Sequence, residues 1–237
     1  MTIKHTLVAI SIMAAPLFTH AITAKSWIVA DDSGKTIQGE NIQEIRSIAS
    51  ITKLMTVMVV LDAKQNLNEQ IGDYTRKQLI QIALVKSDNK SASKLCEYYP
   101  GGTKSCIAQM NLKAKNLGMM HTQFLDATGL NVFNLSTATD LILLVQETRK
   151  YAEILQASKM AQVKVKIKKK WLVFRNTNPI IGRDHRVMIS KTGYIGPAGG
   201  CIVMLMDTDV GKRIVVILGS KNTRTRIPEA EFIVNKS

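Results

Sequence analysis

Three short runs contain residues that could together carry out acyl transfer: SITK at Ser50 to Lys53, SDN at Ser87 to Asn89, and KTG at Lys191 to Gly193. A serine hydroxyl is a poor nucleophile until an adjacent base removes its proton, and an uncharged lysine amine can act as that base. Because positions i and i+3 are neighbours on a helix, Ser50 and Lys53 would lie on one face. The runs therefore predict a site at which a serine attacks a carbonyl carbon.

The sequence around the first two runs indicates which elements position them. SITK opens the apolar stretch LMTVMVVL, which is typical of a buried helix and places Ser50 in its first turn. SDN lies on a connection between two helix-like segments. From that connection Ser87 could relay a proton to a leaving amine, and Asn89 could hydrogen-bond a substrate amide.

The third run belongs to the strand-rich end of the chain. KTG lies at the end of RVMIS and is followed by CIVMLMD and RIVVILGS, which are typical of sheet strands. An exposed edge strand beside the nucleophile can bind an extended peptide by backbone pairing, while Lys191 and Thr192 attract a carboxylate. Gly193 permits close backbone approach. Burial and the second cation, Lys191, would also lower the pKa of Lys53, so the runs depend on one another.

Each run by itself has a simpler interpretation. Serines three residues before a lysine also occur at Ser87 and Ser91, SDN is typical of a turn or helix cap, and KTG could be a strand end with a solvated lysine. The order of all three runs, each in a fitting local context, favours the catalytic interpretation.

Longer stretches extend the match beyond the three runs: IASITKLMTVMVVLDA, YYPGG, MNLKAKNLGMMHTQFLDATGLNVFNLSTATDL, FRNTN and SKTGYIGPAGGCIVM. With them the chain resembles the serine D-alanyl-D-alanine carboxypeptidase/endopeptidase family of low-molecular-mass penicillin-binding proteins, peptidase family S11, and especially its penicillin-binding protein 7 type. The resemblance covers most of the chain after its leader. It implies an α/β (α+β) fold, in which helices flank an antiparallel sheet in the DD-peptidase/β-lactamase-like serine transpeptidase arrangement.

The resemblance also implies a role for each residue of the runs. Ser50 would be the acyl-enzyme nucleophile, Lys53 its base, and Ser87 with Asn89 the second catalytic element. On the KTG strand, Lys191 and Thr192 would bind the substrate carboxylate beside Gly193. The oxyanion hole would consist of the backbone N–H groups of Ser50 and Tyr194. No metal and no organic cofactor are expected, since the histidines and cysteines have no paired spacing.

Two features depart from the family pattern. Between Lys53 and Ser87 the family usually carries a longer segment with small strands, whereas here only NLNEQIGDYT separates the two helices. The chain also ends at Ser237 without the C-terminal β domain and anchor helix of many carboxypeptidases, which favours the small endopeptidase-like type.

The beginning of the chain resembles a leader. Lys4 and His5 precede the apolar run LVAISIMAAPLF and small residues, which predicts a secretory signal peptide at residues 1–21 and a single DD-peptidase catalytic domain at residues 22–237. An uncleaved anchor is the alternative, but the run falls short of the ~20 residues that span a bilayer. We therefore expect an exported protein in the periplasm or another extracytoplasmic place.

Export bears on the cysteines. Cys96 and Cys106 could form a disulfide across a short loop in an oxidising compartment, or remain two thiols. Cys201 lies in an apolar strand and is expected to be buried and inert.

The formal net charge of +14 favours association with anionic envelope material, meaning wall polymer or acidic lipid headgroups, over nucleic acid. The densest basic run, KVKIKKK at Lys164 to Lys170, precedes WLVF and predicts a hairpin strand with a charged face. A plain solubility face is the alternative. The oligomeric state stays open.

The leading interpretation is hydrolysis of a D-Ala-containing peptide bond in peptidoglycan through an acyl-enzyme on Ser50, with β-lactams as covalent inhibitors. One alternative is a class A-like β-lactamase, which needs a glutamate for deacylation; Glu97, Glu147 and Glu153 lack the expected sequence setting. Another is a catalytically weak module that binds peptidoglycan or senses β-lactams.

Overall fold

The computed structural model describes residues 22–237, so the predicted leader at residues 1–21 lies outside the described residues. The strands are β1 Ser26–Asp31, β2 Thr36–Glu40, β3 Arg46–Ser47, β4 Gln70–Ile71, β5 Tyr74–Thr75, β6 Leu135–Ser136, β7 Gln162–Ile167, β8 Lys170–Arg175, β9 Val187–Ile195, β10 Gly199–Thr208 and β11 Gly211–Ser220. The helices are α1 Thr52–Asp62, α2 Arg76–Val85, α3 Asn89–Glu97, α4 Gly102–Asn116, α5 Ala138–Thr148, α6 Ala152–Ser158 and α7 Arg226–Val234. None of the helices described is long and apolar enough to cross a membrane.

The central feature is a five-stranded antiparallel sheet in the order β2-β1-β11-β10-β9. As predicted, the first hairpin and the last strands share this sheet, with Ser26 opposite Leu218. Alternate residues of a strand face opposite sides, and β10 contributes Val203 to one hydrophobic core and Met204 to the other. Helix α5 packs on one face of the sheet and α7 on the other. The predicted mixed fold is confirmed.

Helix α1 runs through the larger core. Its residues Thr52 to Val60 are all buried, because TKLMTVMVV is apolar around most of the helix circumference. Ser50 does not lie in the first α-helical turn as predicted; it lies in a preceding 3-10 turn, Ala49–Ile51. Ala49 has φ +46, in the left-handed region, so the backbone cannot continue as an α-helix through this point.

The segment between α1 and α2 corrects a second expectation. It contains a small antiparallel ribbon of β4 and β5, so the small strands thought to be missing are present. Gly72 forms its turn with φ +63. Thr75 then caps α2 through a reciprocal pair of hydrogen bonds with Gln78. Two-residue strands are too short to produce the alternating pattern that predicts a strand.

The structure shows which cysteines are paired and which is free. Cys96 on α3 and Cys106 on α4 form a disulfide, with 5.4 Å between their Cα atoms. Cys201 on β10 is a buried free thiol, as predicted.

Candidate active site

The first run folds into a hydrogen-bonded pair. The Lys53 ammonium donates to Ser50 Oγ at 2.8 Å. Lys53 is completely buried, whereas Ser50 is partly accessible. The backbone of the 3-10 turn therefore presents the hydroxyl to solvent while α1 holds its neighbouring amine in the core.

Lys53 has two further hydrogen-bond acceptors. Its Nζ lies 2.7 Å from Asn89 Oδ1 and 2.6 Å from the carbonyl oxygen of Thr128. Burial lowers the pKa of Lys53 to about 8, although the charges of Asp126 and Asp88 oppose the shift. A substantial neutral fraction of a lysine at neutral pH is the condition for its use as a base.

The loop that supplies the Thr128 carbonyl was not found by sequence reasoning. Asp126 Oδ1 accepts from the backbone N–H groups of Thr128 at 2.9 Å and Gly129 at 2.7 Å. Asp126 Oδ2 accepts from the N–H of Asn131 at 2.9 Å. Burial would raise the pKa of Asp126, but these hydrogen bonds lower it, so the carboxylate is charged and holds the loop in its conformation.

The second run lies where α2 ends and α3 begins, as predicted. Ser87 adopts the left-handed region, with φ +60, and Asp88 caps α3 by accepting from the N–H of Ser91 at 2.7 Å. Asn89 is then the first residue of α3, which explains why its side chain reaches Lys53. The Ser87 hydroxyl accepts from Lys191 Nζ at 2.8 Å, so the second run touches both of the others.

The third run lies in the middle of β9, not at a strand end, and β9 is an edge of the sheet as expected. Lys191 is buried, and its pKa lies well below the usual range because of burial and the nearby charges of Lys53 and Arg226. Thr192 is also buried, whereas Tyr194 is 49% exposed.

Gly193 meets the catalytic turn at close range. A Cβ at Gly193 would lie 2.9 Å from the backbone N of Ser50 and 2.9 Å from the carbonyl oxygen of Ile48. Any larger residue would push the turn away from β9, since real Cβ atoms do not approach so closely. The strand and the nucleophile are therefore held within contact of each other.

Arg226 is a second residue that sequence reasoning missed. Its Nη1 donates to the carbonyl oxygen of Gly193 at 2.6 Å, and the side chain is buried. It lies on α7, where nothing in the run RIPEAEF signals a site. A second contact of the same run is a hydrogen bond between the hydroxyl groups of Thr192 and Thr177, whose Oγ1 atoms lie 2.6 Å apart. These contacts fix the backbone and the side chains of the KTG run.

The fold and this cluster define a class of protein, a serine enzyme that forms acyl intermediates with a lysine beside its nucleophile. Comparison with known proteins identifies the family. The family model of D-alanyl-D-alanine carboxypeptidase matches residues 11–71 and 67–222. The chain therefore belongs to the D-alanyl-D-alanine carboxypeptidase family of serine peptidases.

Individual relatives agree with the family. The chain is 37% identical to the D-alanyl-D-alanine endopeptidase of Escherichia coli over 77% of this chain and 66% of that protein. It is 32% identical to the D-alanyl-D-alanine endopeptidase of Pseudomonas aeruginosa over 91% of this chain and 77% of that protein. A similar solved structure is penicillin-binding protein D2 of Listeria monocytogenes in its cefotaxime-bound form, with TM-score 0.81 and 24% identity over 91% of this chain and 97% of that chain.

Proposed function

We propose that the protein hydrolyses D-Ala-containing peptide bonds of peptidoglycan through an acyl-enzyme on Ser50. The observation that carries the proposal is the 2.8 Å contact between Ser50 Oγ and the buried amine of Lys53 beside an edge strand. Ser50 Oγ attacks the carbonyl carbon of the D-Ala residue, and the amide C–N bond breaks after the tetrahedral intermediate. Water then hydrolyses the Ser50 ester and restores the hydroxyl.

The contacts of Lys53 explain how its amine can be aimed at the nucleophile. A neutral amine carries two N–H bonds and one lone pair. If the N–H bonds donate to Asn89 Oδ1 and the Thr128 carbonyl, the lone pair is left for the third partner, Ser50 Oγ. Lys53 thus receives the hydroxyl proton as the new C–O bond forms.

The contacts of Ser87 suggest how the leaving amine receives a proton. Its hydroxyl accepts from Lys191 Nζ at 2.8 Å and so has its own hydrogen available for donation. Ser87 would pass this hydrogen to the leaving amine and take one from Lys191 Nζ. During deacylation the attacking water would return a proton to Lys191 through Ser87, and Lys53 would return its proton to Ser50 Oγ. Lys191 with Thr192 would attract the substrate carboxylate. The backbone N–H groups of Ser50 and Tyr194 would stabilise the oxyanion, since β9 and the catalytic turn are in contact at Gly193.

The preferred bond is proposed to be the cross-link between D-Ala and a diaminoacid. Support comes from the names of the relatives described above, which are endopeptidases. The terminal D-Ala-D-Ala bond is the alternative, because Lys191 suits a carboxylate on either acceptor. β-Lactams are proposed to acylate Ser50, in keeping with the cefotaxime-bound state of the Listeria relative.

The glutamates considered for a β-lactamase have other partners or surroundings. Glu147 forms ion pairs with Lys113 and Lys150, Glu97 is exposed at the end of α3, and Glu153 lies in the first turn of α6. Of the residues described, none of these three glutamates hydrogen-bonds to Ser50 or Lys53. We therefore favour slow deacylation of β-lactams over rapid turnover.

We assign residues 22–237 to one catalytic domain that works outside the cytoplasm, as wall substrates require. Its formal charge of +14 over the whole chain suits an anionic envelope.

Purified muropeptides test the reaction directly. We expect mass spectrometry to detect cleavage of cross-linked dimers by the protein and not by its Ser50→Ala variant. Serine-dependent trimming of monomeric pentapeptides instead would assign a carboxypeptidase. If neither product depends on Ser50, the binding or β-lactam-sensing alternative replaces the peptidase proposal.

The pKa of Lys53 predicts the pH dependence of acylation. Since burial lowers this pKa to about 8, the neutral amine is the minor form below pH 8 and the major form above it. The second-order rate of acylation by a labelled penicillin should therefore rise about tenfold per pH unit up to about pH 8, then level off. A rate independent of pH between about 6 and 9 would contradict the role of Lys53 as the base.

A further inference from the structure

The hairpin of β7 and β8 forms a two-stranded sheet of its own, outside the five-stranded sheet. Its inner face is fixed to the rest of the molecule. Val163 and Val165 are buried, and both strands pack against α2. Because this face anchors the hairpin, the residues of its other face are held in a defined orientation at the surface.

The outer face combines apolar and cationic side chains. The strand register pairs Lys166 with Trp171 and Lys164 with Val173. Directly paired residues lie on the same side of a ribbon, so these four side chains share the outer face. Trp171 is 64% exposed and Val173 is 49% exposed, although both are apolar.

One apolar side chain of the inner face is also exposed near the tip of the hairpin. Leu172 points to the side opposite Trp171 and is 39% exposed. It lines a cavity with Ile167, Asp73 and the lysines of the turn, Lys168 to Lys170. The strand therefore exposes Trp171, Leu172 and Val173 in succession, on both of its faces.

The charges of the hairpin itself are all positive, although the exposed Asp73 of the neighbouring β4–β5 turn lines the cavity beside Leu172. No aspartate or glutamate occurs from residue 154 to residue 183, a stretch that includes the whole hairpin. Within residues 22–237, the ion pairs do not include any lysine of the hairpin. The hairpin lysines are Lys164, Lys166, Lys168, Lys169 and Lys170, and all are exposed. Their charge is thus available to an anionic partner.

A solvated edge strand would use lysines to prevent pairing with other chains, but it would not need three exposed apolar residues. A sugar chain or an extended peptide would contact only one face of the hairpin. Consecutive exposed apolar side chains at the tip, next to several exposed lysines, suit the interface of an anionic bilayer better than a single extended ligand. Tryptophan prefers the headgroup level of a bilayer, and lysines are attracted to anionic lipid surfaces.

We propose that the tip of the β7–β8 hairpin docks on a bilayer surface of anionic lipid headgroups. Trp171, Leu172 and Val173 enter the interface, and the lysines contact the headgroup phosphates. None of the described residues that line the tip cavity belongs to the Ser50 cluster, so docking would hold the enzyme at a membrane without using a catalytic residue. The inference goes beyond the proposed reaction and does not depend on it.

Vesicle sedimentation with the Ser50→Ala variant tests docking independently of catalysis. Adding Trp27→Phe leaves Trp171 as the single tryptophan, since the chain contains two. We expect partition onto vesicles of phosphatidylglycerol mixed with phosphatidylcholine, a blue shift of Trp171 emission, and release by salt. Vesicles of phosphatidylcholine alone should bind far less.

A matched pair of charge variants separates the hairpin from the general charge of the protein. Neutralising Lys166, Lys169 and Lys170 to Gln should reduce partition about fivefold per lysine, or about a hundredfold together. Neutralising the exposed Lys35, Lys104 and Lys221 to Gln changes the net charge equally and should have little effect. Trp171→Ala should also weaken partition. With Ser50 restored, all these variants should react with labelled penicillin at the normal rate, which verifies folding.

Three outcomes would overturn the proposal. Equal losses in the two triple variants would mean attraction by net charge alone. Hairpin-dependent binding to purified sacculi, without binding to vesicles, would assign the surface to wall polymer. Absence of binding to either would leave the lysines as protection of an edge strand.

Discussion

Replacement of Lys53 by Met is expected to lower the rate of Ser50 acylation by a labelled penicillin about a thousandfold, within the range attributed to general bases. Methionine keeps most of the buried volume of the side chain but has no lone pair basic enough to accept the hydroxyl proton. The loss should appear in the acylation step itself, since Lys53 contacts Ser50 Oγ and lies fully buried below the site. The acylation rate is measured by quenching the reaction at set times and quantifying the penicillin adduct by mass spectrometry.

Two further variants sharpen that result. Lys53→Arg should be as slow as the Met variant, because a guanidinium stays protonated and cannot act as a base. Lys77→Met makes the same change at an exposed position of α2 and should acylate normally. Acylation of the Met variant within about tenfold of the normal rate would assign the base to another group.

The parts of the site that sequence reasoning found are those in which neighbours along the chain are also neighbours in space. Ser50 and Lys53 meet because helical geometry brings positions i and i+3 together. SDN lies on a connection because Ser87 and Asp88 interrupt two helical patterns, and Asp88 is a good cap. The sheet strands were recognised by their continuous apolar runs, which result from burial on both faces.

The missed parts depend on contacts that have no local signal. The Thr128 carbonyl oxygen that contacts Lys53 lies 75 residues away in the sequence. Every residue has a backbone carbonyl, so the residue type at this position does not indicate the contact. Arg226 lies 33 residues from the Gly193 carbonyl that it contacts. The prediction that KTG lies at the end of a strand was wrong. Gly193 interrupts the apolar pattern of β9, but the strand continues through Tyr194 and Ile195. Such contacts arise from tertiary packing, which the periodic pattern of apolar residues in the sequence does not predict.

Gly129 offers a test of how closely the Thr128 loop must approach the nucleophile. Its φ is +82, and a Cβ there would lie 1.9 Å from the carbonyl oxygen of Ala49. Gly118 has almost the same backbone conformation, with φ +80, but a Cβ there would meet only Leu143 at 4.0 Å. The two glycines therefore share the strain of a left-handed residue and differ in the clash.

Gly118→Ala should cost about 1 to 2 kcal/mol of unfolding free energy, the strain of an L residue in the left-handed region, and leave acylation unchanged. Gly129→Ala adds to that strain a displacement of the Ala49 carbonyl, which precedes the nucleophile directly. Since a shift of about 1 Å at reacting groups can cost a hundredfold in rate, we expect at least that loss of penicillin acylation in the folded variant. Chemical denaturation and acylation rates, measured on both variants, separate the two effects. Normal acylation by Gly129→Ala would show that the loop can withdraw from the catalytic turn, and that the Thr128 carbonyl is not needed to orient Lys53.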